Sequence, residues 1–160
     1  MDLILLRHGK AEDMSPGGDF SRELVEKGRD QARKAARLLK AADLLPDIVL
    51  TSPLVRARQT ADTFCQTAGI PGALVQSWLA SGMSPESGLA ELAGFKEFKR
   101  VGIVGHEPDF SQLIAWATGA QAGGIVMKKG AIACVRLNPP SRFGSLQFLI
   151  PPKLADEMDG

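Results

Sequence analysis

The sequence predicts an α/β three-layer sandwich, with a mostly parallel central sheet and an antiparallel hairpin at its C-terminal end. Short apolar runs of strand length alternate with segments whose apolar residues recur at helical spacing, the pattern of strands joined by crossover helices. Gly, Pro, Ser and Asp collect at the joints between these segments. Only the last two apolar runs follow one another with no helical segment between them, and they read as a hairpin.

The first run, residues 3–6, is continuously apolar and ends at Arg7, as a buried strand would; a loop rich in Gly, Ser, Pro and Asp follows over 11–21. From 22 to 45, Ala32, Ala35, Ala36, Leu38 and Leu39 recur among Lys and Arg, an amphipathic helix closed by Pro46. Residues 48–50 are a second buried strand. Ser52 and Pro53 suit the cap and first position of a second helix, which runs to residue 68 before Gly69, Pro71 and Gly72 stop it. Ser84-Pro85-Glu86 opens a short helix to residue 93, 101–104 is another buried strand, and 109–118 is the helix behind it. Residues 131–137 and 145–150 form the strand pair, bridged by Asn138-Pro139-Pro140 and Gly144. Residues 153–160 lack a hydrophobic pattern and are expected to be a loosely ordered tail, which leaves 1–152 as one domain.

A chain of 160 residues with 44% hydrophobic residues is long enough to bury a single core. Its 19 Lys and Arg against 18 Asp and Glu give a formal net charge of +1, which argues against a broad basic surface for nucleic acid or an anionic membrane. Any anion it handles must be met by local charge. Cys65 and Cys134 stand far apart in apolar stretches without metal-ligand spacing, so they read as reduced structural thiols. The first apolar run is too short for a signal peptide and no later run approaches membrane-spanning length, so a cytoplasmic location is expected.

In open α/β sheets, ligands gather beyond the carboxyl ends of the strands. The first strand delivers Arg7-His8-Gly9 there, the second delivers Thr51-Ser52-Pro53 with Arg56 one turn into the next helix, and the strand at 101–104 delivers Gly105-His106-Glu107-Pro108. Both histidines of the chain thus fall on one face. Either alone reads as a structural histidine; the two together with Arg7 read as a site. Arg7 and Arg56 are suited to grip a phosphoryl group through charge-assisted hydrogen bonds, helped by the helix terminus at Ser52-Pro53. A neutral imidazole such as His8 is a good phosphoryl acceptor, since its ordinary pKa is about 6.5. Gly9 permits close approach to it, or simply makes a turn. Arg58 faces another side of the helix and reads as a solvated surface residue.

These residues resemble a known group. Leu5-Leu6-Arg7-His8-Gly9-Lys10-Ala11-Glu12 resembles the Arg-His-Gly signature of the histidine phosphatase superfamily. The stretch from Arg22 through Gly28 to Ala32 resembles its second conserved segment, Ser52-Pro53-Leu54-Val55-Arg56-Ala57-Arg58-Gln59-Thr60-Ala61 its arginine helix, and Val104-Gly105-His106-Glu107-Pro108 its second histidine. The compact length and the Lys10-Ala11-Glu12 continuation are most similar to the SixA-type phosphohistidine phosphatases. The resemblance implies a phosphoglycerate mutase-like fold, His8 as the nucleophile that becomes phosphorylated, Arg7, Arg56 and His106 as the phosphate pocket, and neither metal nor organic cofactor.

Two departures matter. Val25 stands where the family usually has a helix-capping threonine, and Ser21 is the expected substitute. Glu86, Glu91 and Glu97 read as helix surface, which leaves Glu107 as the possible proton donor or, equally, as a cap for the helix that follows. A phosphohistidine substrate relaxes the need for a donor, because imidazole leaves more easily than an alkoxide. The expected substrate is therefore a phosphohistidine on a protein; a small phosphate ester and a non-catalytic phospho-ligand module are the alternatives. Phe20, Trp78 and Met83 are expected to be exposed near the mouth, as partner contacts or as plain packing.

Overall fold

The computed structural model describes residues 1–158. Six strands, β1 (Asp2–Arg7), β2 (Ile48–Thr51), β3 (Leu74–Val75), β4 (Arg100–Gly105), β5 (Ile132–Arg136) and β6 (Ser145–Ile150), form one sheet in the order β3-β2-β4-β1-β5-β6. The pairs β2/β3, β2/β4 and β1/β4 are parallel, whereas β1/β5 and β5/β6 are antiparallel. The expected mostly parallel sheet with a C-terminal hairpin is the observed one. The two-residue β3, too short to leave a periodic signal, is an addition.

β1 is apolar from Leu3 to Leu6 because both of its faces are covered there. Leu3 and Leu5 join Leu50, Ile103, Leu89 and Phe110 on the side of α3 (Pro85–Leu92) and α4 (Asp109–Thr118). Ile4 and Leu6 join Leu39, Ala61 and Phe64 on the side of α1 (Glu26–Ala41) and α2 (Val55–Ala68). Cys65 and Cys134 are free and buried in this second layer, and burial pushes both thiols up to about 11.

Register sets the strand ends level. Arg7 lies opposite Gly105 and Thr51 opposite Val104, and the ladder continues one step as His8 N donates to Gly105 O (3.0 Å) and Ser52 N to Val104 O (3.0 Å). The residues after β1, β2 and β4 therefore emerge side by side.

Several local expectations are corrected. α1 begins at Glu26 rather than 22, with Val25 at its cap and no side-chain bond there; Ser21 instead closes a single 3-10 turn, Asp19–Ser21. Residues 22–25 run extended because Val25 N donates to Lys10 O (3.1 Å) and Glu12 N to Glu23 O (2.8 Å), tying them to the loop after β1. Met83 is buried in the core rather than exposed, and Trp78 is half-buried with its Nε1 donating to Gln76 Oε1 at 3.0 Å; Phe20 alone of the three is open, at 52%. The tail expected to be loose forms α5 (Pro152–Met158), anchored by buried Ala155 and by Lys34 Nζ donating to Asp156 Oδ1 at 2.6 Å; residues 159–160 of that tail lie outside the described residues. Among the described residues, no helix is long and apolar enough to cross a membrane.

Candidate active site

His8 follows β1 directly, and the loop behind it is packed backbone against backbone. A Cβ added to Gly9 would run into the carbonyl of Gly28 in the first turn of α1, and one added to Gly28 would run into the carbonyl of Lys10. Gly9 N donates to Thr60 Oγ1 (3.1 Å) on α2. The close approach sequence reading allowed at Gly9 is thus real, and it is made to protein backbone.

The ring of His8 is oriented at both nitrogens. Nδ1 stands 2.8 Å from Gly9 O, and a carbonyl can only accept, so Nδ1 carries the proton and Nε2 carries the lone pair. Arg56 Nε donates to that Nε2 at 3.3 Å. His8 is 4% exposed, and burial, with help from the positive charge of Arg56 and Arg7, pushes its pKa down to about 3. At neutral pH it is an uncharged imidazole with its lone pair directed at a guanidinium.

His106, 2% exposed, lies with its ring centroid 5.3 Å from that of His8, the planes tilted by 55°. Its Nε2 is 2.7 Å from Ser52 Oγ, which accepts from Leu54 N at 3.2 Å, while its Nδ1 is buried with no hydrogen-bond partner among the described residues. Burial first, then Arg56, pushes the His106 pKa down to about 4. Ser52 is thereby reassigned. The sequence places it as the cap of α2, but the helix starts three residues later with Leu54 at its cap, and the Ser52 hydroxyl turns to His106 instead. The helix terminus expected to face an anion at Ser52-Pro53 is displaced accordingly.

Arg56 sits in the first turn of α2 and is buried. Besides Nε on His8, its Nη1 donates to Asp19 O (2.9 Å) and its Nη2 lies 3.4 Å from Asp19 Oδ2. Arg7 Nη1 donates to Met127 O (2.9 Å) in the segment before β5, where Gly130 N donates in turn to Arg7 O and His8 O. Arg7 Nε is buried with no hydrogen-bond partner among the described residues. Burial lowers the pKa of both guanidiniums, from values high enough that both remain cationic. Two buried polar atoms, Arg7 Nε and His106 Nδ1, are therefore without a partner among the described residues, and in such low-dielectric surroundings a hydrogen bond to an anion is stronger than in water.

Glu107 Oε1 accepts from Ser111 N at 2.7 Å, which makes it a cap for the first turn of α4, and its charge also steadies Arg7. Arg58, Glu86, Glu91 and Glu97 are exposed, as their spacing suggests. Two residues escaped sequence reading. Asp19 lies in a loop without periodicity and gives no signal; Asp109, which opens α4, reads as an ordinary helix-terminus acid. In the fold Asp109 is buried and accepts from Gly82 N (2.9 Å) and Met83 N (3.1 Å), with burial raising its pKa against those bonds. Among the described residues, no three or more His, Cys, Asp and Glu side chains gather to hold a metal.

The family model of the histidine phosphatase superfamily (branch 1) matches residues 3–78. An uncharacterised protein of Picosynechococcus sp. is 33% identical over 140 residues, covering 85% of each chain. A 2,3-bisphosphoglycerate-dependent phosphoglycerate mutase of Cutibacterium acnes is 55% identical over 62 residues, a match that spans 37% of this chain and 25% of the mutase. The solved structure of a protein histidine phosphatase SixA complexed with tungstate superimposes with a TM-score of 0.87 at 26% identity, covering 96% of this chain and 99% of that one. With the Arg-His-Gly turn at the end of β1, the arginine of α2 and the second histidine after β4 brought together beyond the strand ends of this fold, the chain belongs to the histidine phosphatase superfamily and is built like its SixA-type members.

Proposed function

We propose that the protein is a metal-independent phosphohistidine phosphatase, acting on a phosphohistidine borne by another protein. The observation that supports this reading most is the Nδ1–H of His8 held by Gly9 O, which leaves the Nε2 lone pair as the nucleophile. His8 Nε2 attacks phosphorus in line, the bond to the leaving nitrogen breaks, and water then hydrolyses phospho-His8. Arg7, Arg56 and the free Nδ1 of His106 hold the equatorial oxygens through both steps, the positioning and charge stabilisation that dominate phosphoryl transfer.

The carboxylates bearing on this pocket favour a leaving group that needs no acid. Glu107 is engaged with Ser111 N, Asp109 with Gly82 N and Met83 N, and Asp19 is held ionised by arginines. An imidazole leaves without the proton an alkoxide demands. A second reading, a phosphatase for a small phosphate ester, is favoured by one observation: Glu107 directly follows His106 and its charge acts on Arg7, so a carboxyl accompanies both.

Single-turnover phosphate release from a phosphohistidine protein and from a panel of phosphate esters separates these readings, with His8→Ala and Glu107→Gln measured alongside wild type. Rapid release from phosphohistidine, a silent His8→Ala and a Glu107→Gln within about threefold of wild type support the first. Faster ester turnover that falls about 100-fold in Glu107→Gln supports the second, that being the usual size of a general-acid contribution. A wild type that binds phosphate ligands and releases nothing refutes both.

A further inference from the structure

Asp19 is an exposed carboxylate joined to the buried Arg56, and the mechanism above gives it no task. Its main-chain carbonyl accepts from Arg56 Nη1 (2.9 Å), its Oδ2 lies 3.4 Å from Arg56 Nη2, and its Oδ1 accepts from Arg22 Nε at 3.0 Å. One guanidinium therefore joins the nucleophile, through Nε, to this carboxylate, through Nη2. The side chain nevertheless remains 67% exposed, so it is fixed in place and still open to an incoming group. Desolvation opposes its ionisation, but the hydrogen bond from Arg22 and the charge of Arg56 outweigh that, and the carboxyl stays below its ordinary range. A group so strongly ionised is a poor proton donor and a good acceptor for a cationic N–H.

We propose that Asp19 accepts the N–H of the substrate's phosphohistidine ring, at the ring nitrogen that does not carry phosphorus, and so selects and activates a P–N leaving group. The assignment rests on the phosphohistidine reading given above. His8 shows the same requirement on the other side of phosphorus: its distal nitrogen is protonated and held, there by Gly9 O. Transfer between two imidazoles is nearly symmetric, and each ring must shed the phosphoryl group as a neutral molecule. With Asp19 favouring the protonated substrate ring, the His8 Nε2 pair forms the new P–N bond while the electrons of the old P–N bond stay on the departing nitrogen. The departing imidazole keeps its distal proton and leaves uncharged, so no proton has to be delivered to the nitrogen being cleaved. The long contact between Arg56 Nη2 and Asp19 Oδ2 can pass to a phosphoryl oxygen, with Arg22 retaining the carboxylate at the mouth.

The test compares Asp19→Asn and Asp19→Ala with wild type on phosphoimidazole and on p-nitrophenyl phosphate, whose leaving group has no ring N–H. The expected result is that both variants lose about 10- to 100-fold more on phosphoimidazole than on p-nitrophenyl phosphate, the range of one hydrogen bond to a charged group. A pH series adds a readout that a merely structural role would not move. The groups facing Asp19 are Arg22 from its own turn and Arg56 from α2, with His8 and His106 beyond Arg56. Wild type should hold its phosphoimidazole rate to higher pH than Asp19→Asn, because the carboxylate favours the protonated ring. Equal losses on both substrates, or coincident pH profiles, reduce Asp19 to a support for Arg56 and overturn the assignment. A wild type that hydrolyses p-nitrophenyl phosphate but leaves phosphoimidazole and phosphohistidine protein intact overturns the phosphohistidine reading itself, a result visible without any variant.

Discussion

The hydroxyl of Ser52 lies 2.7 Å from Nε2 of His106, joining the residues that leave β2 and β4 at the same level of the sheet. Ser52 Oγ accepts from Leu54 N and keeps one proton of its own; when it donates that proton to His106 Nε2, the imidazole proton sits on the unpaired Nδ1, the tautomer a phosphate donor requires. The proposed phosphate donor is thus set by a serine at the end of the neighbouring strand. Ser52→Ala should lower kcat about 10-fold or more while changing KM less, as expected when a donor directed at developing charge loses its orientation. It should also destabilise the fold by about 1–3 kcal/mol, because Leu54 N is left unsatisfied in a buried position. Steady-state kinetics and urea unfolding check both parts, and a kcat equal to that of wild type would refute the orienting role.

The backbone contact between Gly9 and Gly28 gives a second expectation. Either side chain would force the end of β1 away from the first turn of α1, moving His8 relative to Arg56. Gly9→Ala should therefore lower kcat/KM by about 100-fold, the scale of a misplacement near 1 Å. It should also lose stability on the scale of an overpacked core, about 1–3 kcal/mol. A variant that keeps full activity would show that the loop yields without disturbing the nucleophile.

The site was legible where a buried apolar run ends abruptly in polar residues. Arg7-His8 after residues 3–6 and His106 after residues 101–104 follow from that rule, and the structure brings both rings to one place. Residues governed by local preference alone were less legible. Ser52 has the composition of a helix cap, and only the tertiary approach of His106 diverts it. Met83 lies between polar neighbours and reads as loop, yet Asp109 draws the backbone of Gly82 and Met83 inward and buries the side chain. The tail carries too few apolar residues to signal α5, because its anchorage is to α1, more than a hundred positions away in sequence.

Arg56 makes its contacts with three different nitrogens: Nε to His8, Nη1 to Asp19 O and Nη2 to Asp19 Oδ2. A lysine carries one point charge and cannot span that set. Arg56→Lys should keep the net charge and still lower kcat/KM by about 100-fold or more. Binding of inorganic phosphate, followed by calorimetry, should weaken as well. Activity within a few-fold of wild type would mean that charge alone, without the fork, is what the pocket requires.

The two histidines also make stability depend on pH, with a definite sign. In the fold, burial is the leading cause that pushes His8 down to about 3 and His106 down to about 4, against 6.5 for either when unperturbed. Below 6.5 the unfolded chain takes up protons at these rings that the folded chain does not. More protons bound by the unfolded state means stability that rises with pH, so the contribution is fully present above 6.5 and is lost as pH falls. Each ring removes at most about 1.4 kcal/mol per pH unit in the window between its folded and unfolded values. Asp109 acts in the opposite direction, since its raised pKa lets the folded state take up a proton more readily than the unfolded chain. Urea midpoints measured from about pH 7 down to about pH 4.5 should therefore fall progressively, and His106→Gln, which removes one of the two rings, should flatten the fall by roughly half. A midpoint that does not move across that range would mean that the two rings are hydrated and titrate as free histidines, and the neutral His8 required as nucleophile would then exist only above its ordinary pKa.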